Sequence, residues 1–99
     1  MKYTQITERR PAPEGGLEFV VSGLVVVRRD GGLEEWRQGS AVYRLPSERD
    51  RAEKFVAAGL AKDALDYLAR GYTLHEWPIS PVSVGYEQKL VDLPLGAAA

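Results

Sequence analysis

The sequence predicts an α+β domain in which an antiparallel sheet of four to five strands, built on a long central hairpin, packs against a helical segment kinked at Gly59. Three observations support this. Residues 17 to 29 are rich in β-branched side chains and lead into Asp30-Gly31-Gly32, a strong hairpin turn signal. Residues 47 to 70 combine helix-forming residues with charge pairs spaced four apart. Shorter β-type segments precede the hairpin and follow the helical segment.

The chain has 99 residues, which is enough for one domain with a modest core. We therefore expect a single domain over residues 1 to 99. Residues 1 to 16 are expected to contain an edge strand and a loop. The strand is expected at residues 2 to 8, because the prolines and glycines of the following RRPAPEGG are typical of a loop and would end the strand. At the end of the chain, residues 94 to 99 are expected to be a frayed tail.

The second and third strands are expected at residues 17 to 29 and 33 to 45, and the turn between them sets their register. A three-residue loop with a glycine in the left-handed region pairs Arg29 with Leu33. The next pairs are Arg28 with Glu34, of opposite charge, and Val26 with Trp36. Further along, like residues face like: Gly23 with Gly39, Ser22 with Ser40, Val21 with Ala41, Val20 with Val42 and Phe19 with Tyr43. A register shifted by one would place valines opposite glutamates, which is a poorer match.

The helical segment is expected to begin at Ser47, a good N-cap residue, and to stop at Gly71. At about 100° per residue, the apolar side chains before Gly59 centre on nearly the opposite direction from those after it. We therefore expect a break or kink at Gly59, with two short helices rather than one straight helix. After Gly71, the segment TLHEW is expected to be a short strand, and residues 82 to 93 a last strand or extended arm.

Both faces of the predicted hairpin are apolar, which is unusual in a two-layer domain, where one sheet face is normally in water. One face carries Phe19, Val21, Val25, Val27, Ala41 and Tyr43, and the other carries Val20, Leu24, Val26, Trp36 and Val42. A single helical layer covers only one of them. Either the C-terminal arm folds back across the second face, or that face is buried against another chain.

Composition excludes several kinds of site. The formal net charge of −1 gives no general attraction to nucleic acid or membrane, and the absence of cysteine removes disulfides, thiolate nucleophiles and Cys-type zinc sites. We expect no cofactor, no metal and no membrane segment, and a cytoplasmic location. The one histidine, His75, lies in TLHEW with no local partner for catalysis, so we interpret it as a strand histidine and the protein as not an enzyme.

The first functional hypothesis is a small protein-binding or regulatory module. Its interface would be the second apolar face, with arginines at the rim: Val20, Leu24, Val26, Trp36, Val42, Arg37 and Arg44. The partner would be another protein or a second copy in a homodimer. In size and element order the chain is similar to phage-encoded inhibitors of host proteins. The alternative is a nucleic-acid-binding accessory protein in which Trp36 stacks on bases and arginines contact phosphates, namely Arg28, Arg29, Arg37 and Arg44.

Overall fold

A computed structural model describes residues 1–79 and 86–96 of the chain. Within these residues, five antiparallel strands form one sheet, and one α-helix packs on one side of it. The elements are β1 (Lys2–Pro11), β2 (Leu17–Arg29), β3 (Leu33–Tyr43), a 3-10 turn at Pro46–Glu48, α1 (Arg49–Ala69), β4 (Thr73–Glu76) and β5 (Tyr86–Asp92). The predicted α+β class is therefore confirmed.

The strands are ordered β3–β2–β1–β5, and β4 pairs with β2. One edge of β2 pairs with β3, and the other is shared by β1, opposite residues 17–24, and β4, opposite residues 25–28. The expectation that the first strand lies at an edge was wrong, because β5 pairs with the far side of β1. This strand is also longer than predicted, since Arg9, Arg10 and Pro11 still pair with β2 before the turn.

The register of the β2–β3 hairpin is the predicted one at every pair, from Phe19 opposite Tyr43 to Arg29 opposite Leu33. Gly31 and Gly32 hold φ of +96° and +83°, a conformation in which side chains other than glycine are strained. The turn chemistry therefore determines the pairing of the longest strands.

The C-terminal end of the helical segment was predicted correctly, and its N-terminal end was not. Gly71 has φ of +89° and follows the last turn as expected, with its N–H donating to the Leu68 carbonyl at 3.1 Å. The prediction of Ser47 as N-cap was wrong. Pro46 starts a 3-10 turn, so Ser47 lies inside that turn and Glu48 is the N-cap of α1.

The helix α1 is uninterrupted from Arg49 to Ala69, so the expected division into two short helices does not occur. The expectation assumed that every large apolar side chain is buried, whereas Phe55, Leu65 and Leu68 are exposed. The buried positions form one continuous stripe that is rich in alanine: Ala52, Val56, Leu60, Ala61, Ala64 and Tyr67. Whether the helix axis bends at Gly59 stays a prediction.

The core lies between α1 and the face of the sheet that carries Val21, Val25 and Val27, each at most 2 % exposed. Two facing glycines, Gly23 on β2 and Gly39 on β3, leave a hollow in this face. The side chain of Leu60 fills the hollow, because a Cβ atom at Gly23 would overlap its Cδ1 atom. The glycines therefore determine how closely the helix approaches the sheet.

The C-terminal residues are partly held by the core. The Leu93 N–H donates to the Met1 carbonyl at 2.9 Å, and Leu95 packs against the core cluster. Of the predicted frayed tail, residues 94–96 are described and include this packed leucine, and residues 97–99 lie outside the described residues. In the described part of the chain, no helix is both long and apolar enough to cross a membrane.

Candidate functional site

The side of the sheet opposite α1 carries the second apolar face, which we call the open face. The residues of this face are identified by the alternation of side chains along each strand and by the strand pairing. Val20 lies opposite Val42, Val26 opposite Trp36, Thr4 opposite Leu90 and Glu8 opposite Tyr86. Its apolar members are Ile6, Val20, Leu24, Val26, Trp36, Val42, Tyr86 and Leu90.

Much of the open face is accessible to solvent. Trp36 is 53 % exposed, Val42 50 %, Tyr86 49 % and Leu90 41 %. Val20, Leu24 and Ile6 are half-buried. An apolar surface that spans several strands is unusual on a monomeric protein and is typical of an interaction site.

The C-terminal arm does not fold across the open face as a cover in residues 86–92. These residues form β5, which lies beside β1 and widens the sheet, so that Tyr86 and Leu90 add to the face. Residues 80–85 of the expected arm lie outside the described residues.

One corner of the open face is closed by the chain itself. Here β4 places His75 opposite Val26, and the Trp77 carbonyl accepts a hydrogen bond from the Thr4 hydroxyl at 2.5 Å. The rings of Trp36 and Trp77 meet edge to face, with centroids 3.7 Å apart. Val26 is only 3 % exposed, so it adds little accessible surface to the open face, and its role in an interface stays a prediction.

His75 lies in this corner with its Nε2 atom 3.0 Å from the Thr73 hydroxyl. The neighbouring acid, Glu76, accepts a hydrogen bond from the Lys2 backbone N–H at 3.3 Å. The nearest hydrogen-bond partner of the imidazole is thus a strand neighbour, in keeping with a strand histidine. Among residues 1–79 and 86–96, no three His, Cys, Asp or Glu side chains come together as a metal site.

An ion-pair network borders the open face at its other end. The Glu18 side chain is nearly fully buried, and its carboxylate accepts a hydrogen bond from Arg10 Nε at 2.7 Å. Arg44 lies 3.9 Å from the same carboxylate and donates to Glu14 at 3.0 Å. This hydrogen bond to Glu14 raises the pKa of Arg44.

Arg37 does not lie at the rim of the open face, contrary to the prediction. Side chains alternate along β3, so the residue after Trp36 points to the side of α1. There its guanidinium is 3.4 Å from the Asp63 carboxylate and 5.1 Å from the centre of the Tyr67 ring. The residue therefore connects β3 with α1, and its Nε atom is buried without a hydrogen-bond partner among the described residues.

The other arginines proposed for nucleic-acid contacts are spread over both sides of the sheet. Arg28 forms an ion pair at 3.3 Å with Glu34, the residue opposite it in the predicted register. Arg29 lies over the Tyr72 ring at 5.8 Å on the side of α1. The structure therefore does not bring the predicted arginines together on one surface.

The prediction missed three residues of the open face: Ile6, Tyr86 and Leu90. Alternation in YEQKLVD does place Tyr86 and Leu90 on the same side of a strand. The pairing of β5 with β1 joins residues 78 to 90 positions apart, and no local pattern predicts it. Tyr86 and Leu90 were therefore expected in a last strand or extended arm, which in one of the two alternatives covers the second face.

Comparison with known proteins gives no relatives. No family model, no curated protein and no solved structure matches this chain. Its function is inferred from the geometry of the open face.

Proposed function

We propose that this protein is a small non-enzymatic module that binds a partner protein through the open face. One observation carries the proposal: Trp36 and Val42, on the same face of the same strand, leave half of their surface in water beside the half-buried Val20 and Leu24. Exposure of this apolar area costs free energy that a bound partner would recover. Tryptophan is also among the residues that most often dominate interface energies.

The dimensions of the open face suit a protein surface better than a small molecule. Four strands about 4.8 Å apart, paired over eight residues of about 3.3 Å each, give a flat area of about 500 Å². This whole face, which also carries Glu8, Ser22, Gln38 and Ser40, is somewhat smaller than one side of a standard protein interface, about 800 Å². A flat face of this kind supports binding that blocks the partner's own surface, as a regulator or inhibitor does.

Nucleic-acid binding is the weaker proposal. The cations that would contact phosphates already have acidic partners: Arg28 pairs with Glu34, and Arg44 with Glu14. Arg37 lies on the side of α1. Phosphate contacts release counterions, so such binding should weaken linearly with the logarithm of salt concentration, by a slope of about 0.9 per contact. Binding through the open face should show little salt dependence.

The test compares two charged substitutions at exposed apolar residues. Val42→Lys places a charge in the open face, and Leu68→Lys places one on α1, where Leu68 is 43 % exposed. A partner captured by the immobilised wild-type protein should be retained by Leu68→Lys and bind at least tenfold more weakly to Val42→Lys, because burial of an unpaired charge opposes binding. Equal retention by both variants, with unchanged circular dichroism, would contradict the proposal.

A further inference from the structure

The outer edge of the sheet at β3 is long and contains neither proline nor lysine; its charged residues are Glu34, Glu35 and Arg37. The strand has 11 residues, and within the described residues β2 is its sole strand partner. Natural edge strands are usually short or interrupted by proline or lysine, because their free N–H and C=O groups pair readily with another strand. The sequence LEEWRQGSAVY contains neither residue. The opposite edge, β5, has seven residues, among them Glu87, Lys89 and Asp92.

We infer that β3 pairs antiparallel with β3 of a second copy, so that the two sheets join into one. A two-fold axis through Gly39 places Trp36 opposite Val42 of the second copy and Gln38 opposite its Ser40. Just beyond these pairs, Glu34 lies opposite Arg44 of the second copy, where this contact would add to the ion pairs that Glu34 makes with Arg28 and Arg44 makes with Glu14 within each chain. Leu33 lies opposite Leu45 of the second copy. These four pairs are aromatic with β-branched, polar with polar, acid with base and apolar with apolar, all of which are favourable across strands.

The exposed apolar residues of this edge explain why this register is preferred. Leu33 is 61 % exposed, Leu45 57 %, Trp36 53 % and Val42 50 %. In the register centred on Gly39, each of them meets another. A shift by two residues would place Glu34 opposite Val42 of the second copy, and both the charge pairing and the apolar pairing would be lost.

The helix adds an independent observation at Gly59, in the middle of α1. Glycine is less favourable than alanine inside a helix, yet a Cβ atom at this position would have no atom within 4 Å. Nothing in the described residues therefore requires a glycine here. The residue lies on the flank of α1 beside Phe55 and Asp63, which is the flank next to β3. A glycine there permits close approach of a second helix.

The same two-fold axis brings the two α1 helices together at that flank. Leu60 contacts both Gly23 and Gly39, so α1 lies over the junction of β2 and β3. In the dimer, the two β2–β3 junctions are separated by two strand spacings of about 4.8 Å each. The axes of the two helices would therefore lie about 10 Å apart, which is the usual distance between packed helices. Since α1 runs antiparallel to β3, Glu48 then faces Arg70 of the second copy. The flank is thus complementary in charge to itself.

This dimer goes beyond the proposed partner binding, although Trp36 and Val42 belong to both contacts. Because Gly59 lies on the helix side of the sheet, Gly59→Arg should weaken the dimer without altering the open face, so failure of one proposal can be distinguished from failure of the other. It leaves Val20, Leu24, Tyr86 and Leu90 free on each copy. The two open faces would become one continuous surface on the side away from the helices.

The first measurement is the solution mass of the full chain between 1 and 500 µM by sedimentation equilibrium. The expected result is a reversible increase from the monomer mass of 10.9 kDa to twice that value. A monomer across the whole range would overturn the inference.

The second measurement tests the register, and the absence of cysteine from the natural chain makes it simple. Gln38→Cys and Ser40→Cys are prepared as separate variants and mixed. Opposite residues have Cα atoms about 5 Å apart, which permits a disulfide, whereas identical positions are offset by two residues and lie about 7–8 Å apart. The mixture should form disulfide-linked dimers at least tenfold faster than either variant alone. Equal rates would overturn the register.

The third measurement compares two arginine substitutions on α1. Gly59→Arg obstructs the proposed helix contact, and Ala58→Arg, at an exposed position turned away from the sheet, is its control. Both replace a residue that faces open solvent in the monomer, so both should fold. Gly59→Arg should weaken dimerisation at least tenfold and Ala58→Arg less than twofold. Equal dimerisation of the two variants would overturn the helix contact.

Discussion

The substitution Gly23→Ala tests the closest contact in the core. A Cβ atom at this position would overlap Leu60 Cδ1 and lie 3.0 Å from both Tyr3 Cε2 and Val56 Cγ1, whereas carbon atoms in contact are normally 3.5–4.0 Å apart. All three neighbours are at most 2 % exposed, so none can move into solvent. Overpacking of this kind costs about 1–3 kcal/mol, and the lower entropy of the unfolded alanine chain offsets about 0.5–1 kcal/mol.

We therefore expect Gly23→Ala to lower the free energy of unfolding by about 1–2 kcal/mol. In a domain of this size, this corresponds to a decrease in Tm of about 5–15 °C. Urea denaturation followed by circular dichroism measures the change, and an unchanged m-value would show that the unfolded state is the same.

Gly39→Ala is the matched control, because Gly39 faces Gly23 across the hairpin under the same leucine. A Cβ atom there would lie 3.6 Å from Leu60 Cγ and 3.7 Å from the Val56 carbonyl oxygen, which is ordinary contact. Its unfolding free energy should therefore stay within about 0.5 kcal/mol of the wild type or rise slightly. If Gly23→Ala proves as stable as Gly39→Ala, the close packing of α1 on β2 is refuted.

Three further predictions concern other parts of the molecule. Arg10→Ala should lower the unfolding free energy, measured by urea denaturation, by about 1–3 kcal/mol, because it removes the hydrogen bond at 2.7 Å to the buried carboxylate of Glu18. An unchanged unfolding free energy would mean that this carboxylate needs no partner. Burial raises the pKa of Tyr3, so the folded state holds this proton more tightly than the unfolded chain, in which the pKa is about 10. The stability contributed by the buried neutral phenol is thus complete below about pH 10 and is lost as the pH rises above it. The unfolding free energy of Tyr3→Phe, measured by urea titration, should therefore fall less between pH 9 and 11 than that of the wild type. Parallel pH curves for the two proteins would contradict this. The edge-to-face contact of Trp36 with Trp77 should give a coupled near-ultraviolet circular dichroism signal that either Trp→Phe substitution removes, and a signal that survives both would place the rings apart.

Part of the candidate site follows from the sequence because hairpin pairing is local. Asp30-Gly31-Gly32 fixes the loop length, the loop fixes the register, and alternation then places Val20, Leu24, Trp36 and Val42 on one face. The prediction for Arg37 was wrong because it neglected that same alternation. The burial of Val26 was not predicted, because β4, which pairs with β2 beside it, comes from a distant part of the chain.

The amino-acid sequence by itself determined the α+β class, the hairpin register, the helix stop at Gly71 and the presence of two apolar sheet faces. Each of these depends on turn chemistry or on periodicity within one segment. Only the tertiary structure decided which apolar residues are buried. The hollow at Gly23 and Gly39 lets α1 pack on the sheet through its alanines and Leu60, and Phe55 is left in water. The pairing of β5 with β1 leaves the second sheet face open. Both outcomes depend on contacts between distant segments, whose free energies exceed local preferences.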